Sequence, residues 1–319
     1  MFIPPAWPRL NTIHRLLVPV VVTLPYIFIY STVTSDSSII TPENHRIHMR
    51  YYPYDRVLYQ PDKMCRTCHF LKPARSKHCS ICRACVAKND HHCVWINNCL
   101  GRGNYGYFVA LLLALSILLT YGGYLGHMLL TRTLQETTLR RAQGMASRSH
   151  WSVGKNWSTY FQLWGWAITK DVRIGSVAML TTMTAPLAWG LLLYHVYLIW
   201  AGMTTNESLK WSDWRDDIAD GLVFKGRRSL KAAGNGLFDP EVDPKVDWPI
   251  ESDQVLVRTE TRLPPNTEAS RLGSAASFAS NANHISHGPD WVSVKGLQEV
   301  HNMYDLGFWD NFIDILRTK

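Results

Sequence analysis

Cysteine is missing from most of this chain: of 319 residues only seven are cysteine, and every one lies between residues 65 and 99. An odd, crowded set in an otherwise cysteine-free chain excludes an extracellular disulfide framework and points to thiols kept reduced, so this window is expected on the cytosolic side. Charge is absent from three long apolar runs, residues 16–33, 107–131 and 176–201, which contain no Lys, Arg, Asp or Glu. A hydrocarbon core takes roughly 17 to 25 residues of helix to cross, so these runs exclude an ordinary soluble protein and predict transmembrane helices. No small-residue cleavage site follows the first run, which reads as a retained anchor interrupted by Pro19 and Pro25. The net charge of +8 comes without a recognition helix or RNA platform. Nucleic acid is therefore excluded as a partner, and the basic residues suit membrane lipid beside cytosolic loops.

These observations predict an all-α polytopic membrane protein with three transmembrane helices and a cytosolic cysteine-rich domain. The expected division is residues 1–34 as N-terminal segment and first span, 35–106 as the cytosolic cysteine-rich domain, and 107–131 as the second span. Residues 132–175 then form a lumenal loop, 176–201 the third span and 202–319 a cytosolic tail. Orientation rests on the cysteines, because eleven Lys or Arg in 35–106 and seven in the shorter 132–175 are nearly equal densities. The tryptophans of residues 157–168 suit a segment lying at the membrane interface. Two glycosylation acceptors, Asn156 and Asn206, fall on opposite sides of the third span. Gly122 and Gly126 suit close helix packing. Residues 225–300 are rich in Pro, Ser, Asn and Gly, and are expected to be disordered, most clearly over 266–290.

The cysteine window reads Cys65-x2-Cys68-x9-His78-Cys79-x2-Cys82-x2-Cys85-x6-His92-Cys93-x5-Cys99. Paired Cys-x2-Cys steps followed by a distant His and Cys are how a chain surrounds tetrahedral zinc with four S or N ligands. Two zincs need eight ligands, which six cysteines and two histidines would supply, leaving one thiol over. Spacing does not decide which cysteine is spare, nor whether His91 or His92 binds metal. In an extended stretch, neighbouring side chains point to opposite sides, so one histidine can ligate while the other faces a reaction site. A RING-like ligase or a non-catalytic zinc scaffold would use the same metal, but a RING cross-brace ends in a further Cys-x2-Cys, which is lacking here.

Residues 65–108 resemble the cysteine-rich domain of the DHHC protein S-acyltransferases. Asp90-His91-His92-Cys93 matches the name-giving tetrad, flanked by Lys72, Pro73, Arg75, Trp95, Asn98, Gly101, Asn104 and Phe108. Thr204-Thr205-Asn206-Glu207 resembles the family's TTxE motif after a span, and residues 302–312, with Asn311, resemble its C-terminal motif. The resemblance implies one structural zinc on Cys65, Cys68, His78 and Cys85, and a second on Cys79, Cys82, His92 and Cys99. It implies Cys93 as nucleophile, His91 as its base and Asp90 as the residue that orients His91.

The implied reaction takes a fatty acyl group, typically palmitoyl, from acyl-CoA onto Cys93 and passes it to cysteines of substrate proteins. The thiolate is the reactive form, so a neighbouring imidazole is needed to take the thiol proton. Lys72, Arg75, Lys77, Arg83, Lys88 and Arg102 are expected near the CoA phosphates. Thr204 and Glu207 also read as a helix capping box. Phe308, Trp309, Phe312 and Ile313 around Asn311 suggest a tail turn docked on the membrane, covering residues 302–313. Residues 51–61, 202–211 and the tail motif look most like the fungal branch of the endoplasmic reticulum that acylates juxtamembrane cysteines of SNAREs, with the Golgi as the alternative membrane. Family members show an even number of spans, commonly four. The three seen here imply either a lumenal segment over residues 1–15 or missing upstream sequence.

Overall fold

The computed structural model describes residues 3–144, 157–227, 242–250, 252–265 and 291–317. They form two compact units: Met1–Thr32 with Tyr107–His195, and Val33–Gly106 with Val196–Lys319.

The first unit is helical. A short α1 (Ile3–Ala6) and a 3-10 turn (Trp7–Arg9) lead into α2 (Thr12–Thr34), which continues through Pro19 and Pro25. Helix α4 (Tyr105–Gly144) supplies the second apolar run, α5 (Trp157–Lys170) lies in the expected loop, and α6 (Val172–Trp200) supplies the third. Thus 132–175 is less a loop than two helical stretches, because α4 continues to residue 144. Asn156 and residues 145–155 lie outside the described residues. Three helices, Thr12–Thr34, Tyr105–Thr137 and Val172–Trp200, are long and apolar enough to cross a membrane, and the chain is a membrane protein.

Hydroxyls within these helices have no water to meet in hydrocarbon and turn onto the carbonyl one turn back. Thr23 donates to the Pro19 carbonyl at 2.7 Å, Ser116 to Leu112 at 2.8 Å and Thr184 to Leu180 at 2.7 Å. Helices α4 and α6 approach through small residues. A Cβ on Gly126 would lie 2.4 Å from that of Ala178, so only glycine allows this crossing. Leu125, Leu129, Ala167 and Ile174 complete the buried seam.

The second unit holds the cysteine window. Strands β1 (Ile39–Ile40), β2 (Lys77–Cys79) and β3 (Ala84–Val86) form a sheet in the order β1-β3-β2, with a one-turn α3 (His45–His48) between β1 and β2. Strands β4 (His91–Cys93) and β5 (Asn98–Leu100) form a separate hairpin. Helix α7 (Thr205–Ala219) follows the third span.

A further sheet, β7-β6-β8, joins β6 (Val223–Arg227), β7 (Gln254–Arg258) and β8 (Val292–Ser293). It corrects the expectation of disorder over all of 225–300, because composition averaged over the stretch hid the short apolar segment Val255–Leu256–Val257. Val223, Leu256 and Val294 bury against Trp211 and Ile218 of α7. Residues 266–290 lie outside the described residues. Helix α8 (Phe308–Leu316) closes the tail; it buries Asn311 and Ile315 and exposes Trp309, Ile313 and Leu316.

Candidate functional site

Strand alternation sorts the cysteine window. His78 and Cys79 are neighbours on β2, so their side chains leave opposite faces. His78 pairs across the sheet with Cys85, and on the second hairpin His92 pairs with Cys99. Each cross-strand His/Cys pair meets a Cys-x2-Cys turn: Cys65 and Cys68 in one cluster, Cys79 and Cys82 in the other. In both turns the amide of the second cysteine folds back on the sulfur of the first, Cys68 N–H to Cys65 Sγ and Cys82 N–H to Cys79 Sγ, each at 3.4 Å. The residue after each turn, His69 (φ 57°) or Arg83 (φ 54°), has left-handed backbone that reverses the chain.

The ligand atoms of each cluster lie within 4.8 Å of one another. His78 Nδ1 is 3.5, 3.3 and 3.8 Å from the sulfurs of Cys65, Cys68 and Cys85. His92 Nδ1 is 3.6, 3.3 and 3.7 Å from those of Cys79, Cys82 and Cys99. A tetrahedron with metal–sulfur bonds of about 2.3 Å and metal–nitrogen bonds of about 2.0 Å has edges of about 3.5 to 3.8 Å. Both clusters can hold a metal ion of that size. Burial and the adjoining thiols push Cys85 and Cys99 up from the ordinary thiol value. Burial also raises Cys65 and Cys79, but the turn amides and neighbouring thiols outweigh it and both are lowered. A cation at the centre of each cluster would relieve the repulsion among these thiolates.

Cys93 is the cysteine that neither cluster takes, and it is buried at 6 % exposure. Alternation along β4 sends His92 into the second cluster and leaves His91 and Cys93, two residues apart, on the strand's other face. Behind His91 stands Asp90, whose Oδ2 lies 2.6 Å from His91 Nδ1. The same carboxylate accepts from Thr205, the amide to Oδ1 at 2.7 Å and the hydroxyl to Oδ2 at 2.8 Å. An aspartate on Nδ1 holds the proton there and gives Nε2 the lone pair of a base.

Thr205 is delivered by the start of α7. Thr204 caps the helix: its hydroxyl accepts from the Glu207 amide at 3.2 Å, and Glu207 Oε2 accepts from the Thr204 amide at 2.9 Å. The capping box and the contact with the tetrad are therefore one device. Glu207 also receives Arg75, Nε to Oε1 at 2.8 Å and a guanidinium NH2 to Oε2 at 2.6 Å, and Tyr59 Oη at 3.1 Å. Burial pushes the Glu207 carboxyl up, but Arg75 outweighs it and holds the group below the ordinary range. Arg75 further donates to the Gly202 carbonyl at 3.0 Å and stacks on Tyr304. Gly202 (φ 63°) must be glycine, since a Cβ there would lie 2.7 Å from the Tyr304 carbonyl.

The tail is tied to this network. Asn311 donates to the Trp200 carbonyl at 3.3 Å and to Asp305 at 2.9 Å, and accepts from the Leu306 amide at 2.9 Å. Asp314 accepts from Lys88 Nζ at 2.6 Å and from Tyr52 Oη at 3.0 Å.

Three of the six cations expected near CoA phosphates are not surface cations. Arg75 and Lys88 are engaged in largely buried ion pairs, and Arg102 is buried over the Tyr51 ring. Lys72, Lys77 and Arg83 are partly or fully exposed. Sequence reasoning missed Asp314, Tyr52 and Tyr59, whose partners stand far away along the chain and leave no local pattern.

Span-capable helices, two Cys/His clusters and a cysteine left outside them on the strand that follows Asp90 outline a membrane-bound thiol enzyme. The model of the DHHC palmitoyltransferase family matches residues 58–212. A palmitoyltransferase swf1 of Aspergillus fumigatus is 49 % identical over 99 % of this chain and 81 % of its own length. Others from Emericella nidulans (46 %, over 99 % of this chain and 74 % of the relative) and Neurospora crassa (38 %, over 99 % and 71 %) are similar along the same extent. The chain belongs to the DHHC palmitoyltransferase family and is a protein S-palmitoyltransferase of its fungal swf1 branch.

Proposed function

We propose that Cys93 carries the acyl group between a long-chain acyl-CoA, palmitoyl-CoA in the first instance, and a cysteine of a substrate protein. The observation that carries this reading is the chain of contacts from Thr205 through Asp90 to His91, on the strand face shared with Cys93. His91 Nε2 takes the Cys93 proton, and the thiolate attacks the thioester carbonyl carbon of palmitoyl-CoA. The carbon–sulfur bond to CoA breaks, CoA leaves as its thiol after protonation, and a thioester to Cys93 remains. A substrate cysteine, deprotonated in turn, attacks that thioester and restores the Cys93 thiol. One thioester replaces another at each step, so no nucleotide is consumed.

Zinc is the metal we assign to both clusters, for their closed sets of three sulfurs and one nitrogen. With no open ligand position its contribution is to hold the two hairpins in register. Lys72, Lys77 and Arg83 are the cations left to meet CoA phosphates. The reduced cysteines favour a cytosolic face for this unit. By the resemblance of residues 51–61, 202–211 and 302–312 to the fungal branch, the endoplasmic reticulum is the membrane, with the Golgi as alternative, and juxtamembrane cysteines of SNAREs and other membrane proteins are the substrates.

The experiment is incubation of purified protein with labelled palmitoyl-CoA. Hydroxylamine-sensitive label on Cys93, lost in Cys93→Ser, is the expected result. Label retained in that variant would refute the assignment.

A further inference from the structure

We propose that Asp314 is a positioning residue for acyl transfer: from the tail helix it clamps Lys88 and thereby holds the turn that aims Asp90 and His91. The inference rests on the reading of Asp90, His91 and Cys93 given above.

Lys88 stands two residues before Asp90, with left-handed backbone (φ 45°) that a residue bearing a side chain adopts only when held. The turn is held on both sides by backbone bonds, Asn89 N–H to the Arg75 carbonyl at 3.1 Å and Asp90 N–H to the Leu100 carbonyl at 2.8 Å. The lysine side chain is held by Asp314, 2.6 Å from Nζ, with the lysine 10 % and the aspartate 15 % exposed. Tyr52 Oη donates to both oxygens of Asp314 at 3.0 Å, and Arg75 stands 4.0 Å away. Asp314 is thus the ion-pair partner of Lys88 and a second anion beside Arg75, whose own partner Glu207 caps the helix that presents Thr205. The two routes to Asp90, through the Lys88 turn and through the Thr205 helix start, meet at this tail carboxylate.

A neutral residue at 314 would leave the largely buried Lys88 facing a buried hydroxyl, while Arg75 keeps Glu207, and the lysine would be driven out of its turn. The direction of the Asp90 carboxylate then changes, and with it the tautomer and orientation of His91. In this reading Asp314 acts through Lys88 and not on acyl-CoA itself. The effect belongs on the rate of Cys93 acylation and not on the affinity for acyl-CoA.

The test is single-turnover acylation of the full-length enzyme in detergent with radiolabelled palmitoyl-CoA, reading burst amplitude and rate constant separately, together with zinc content. In Asp314→Asn the rate constant at saturating acyl-CoA should fall by about 10- to 100-fold, the scale of a misplaced catalytic group. The half-saturating concentration should stay within about twofold, with amplitude and zinc unchanged. Lys88→Met should slow the step by a similar factor, and Lys88→Met with Asp314→Leu should be no slower than the worse single variant.

A normal rate constant in Asp314→Asn would overturn the proposal, whether amplitude is kept or lost, since lost amplitude alone marks a residue needed only for folding. If Asp314→Asn does not fold, the double variant, which removes both buried charges, decides: a slowed rate supports the clamp and a normal rate refutes it. Cys93→Ser run in parallel separates the two readings, because label on that variant defeats the nucleophile assignment, whereas a fast Asp314→Asn defeats only the clamp.

Discussion

Thr205 shows how much one hydroxyl does here. Its Oγ donates at 2.8 Å to the same Asp90 oxygen that meets His91, while its amide occupies the other. Thr205→Val keeps the amide bond and the shape but loses the hydroxyl. A hydrogen bond to a charged group is worth about 1.5–3 kcal/mol, so the acylation rate constant should fall roughly 10- to 100-fold with zinc content unchanged, read by single-turnover labelling. Cys93→Ser should abolish labelling and keep both metals, as a residue outside either cluster must. Metal loss in that variant, measured by emission spectrometry, would make Cys93 a ligand.

Among the elements, the paired hairpins and the tail helix carry the site. His92→Ala opens the second cluster while Cys65, Cys68, His78 and Cys85 stay complete, so bound zinc should fall from two per chain toward one. Hairpin β4–β5 should loosen, and activity should go with it because Cys93 sits on the same strand. A fully loaded, folded His92→Ala protein would exchange the roles of His91 and His92. In the tail, Asn311 makes two donated bonds and one accepted bond at a buried position, which fixes α8 and with it the approach of Asp314 to Lys88. These elements were unequally legible beforehand. The apolar runs and the capping box are local patterns legible in the sequence, whereas the sheet of β6, β7 and β8 joins strands separated by long polar stretches whose average composition predicts disorder.

Over the whole molecule, acid should act through several buried carboxyls. Burial raises Asp314, but Lys88 and Arg75 outweigh it and hold it below its ordinary value of 3.8, as Arg75 does for Glu207 against 4.5. A group held lower in the folded state contributes stability that is full above its unfolded value and is lost as pH falls through the folded one. Asp55 has the opposite sign. Burial pushes it up to about 6, so its contribution declines as pH rises from 3.8 to about 6. Stability followed by thermal denaturation should therefore rise as pH falls from about 6, through Asp55, and decline once pH drops below the unfolded values of 4.5 and 3.8, where Glu207 and Asp314 lose their contribution and the thiolate ligands lose metal. Orientation is a further property of the whole chain. In glycosylation-competent microsomes any endoglycosidase-sensitive shift should vanish with Asn156→Gln and ignore Asn206→Gln, because with residues 107–131 and 176–201 both crossing, the proposed topology puts Asn156 in the lumen and keeps Asn206 in the cytosol. A shift that depends on Asn206 would refute the proposed topology.

Sequence alone determined that this chain carries apolar runs long enough to cross a membrane, cysteines and histidines at metal-ligand spacing and an Asp-His-His-Cys tetrad, because hydropathy and ligand spacing are written in neighbouring residues. Tertiary structure decided which cysteines and histidines share a cluster and which cations are already paired. His78 and Cys79 are adjacent yet serve different clusters, a division made by strand alternation and by cross-strand pairing with Cys85. Arg75 looked like a phosphate ligand because nothing near it in the chain opposes its charge. Its partner Glu207 stands 132 residues away, and Lys88 and Asp314 are 226 residues apart. Folding brings them within hydrogen-bond distance away from water, where a cation must find its counter-charge, and no local pattern in the sequence records that requirement.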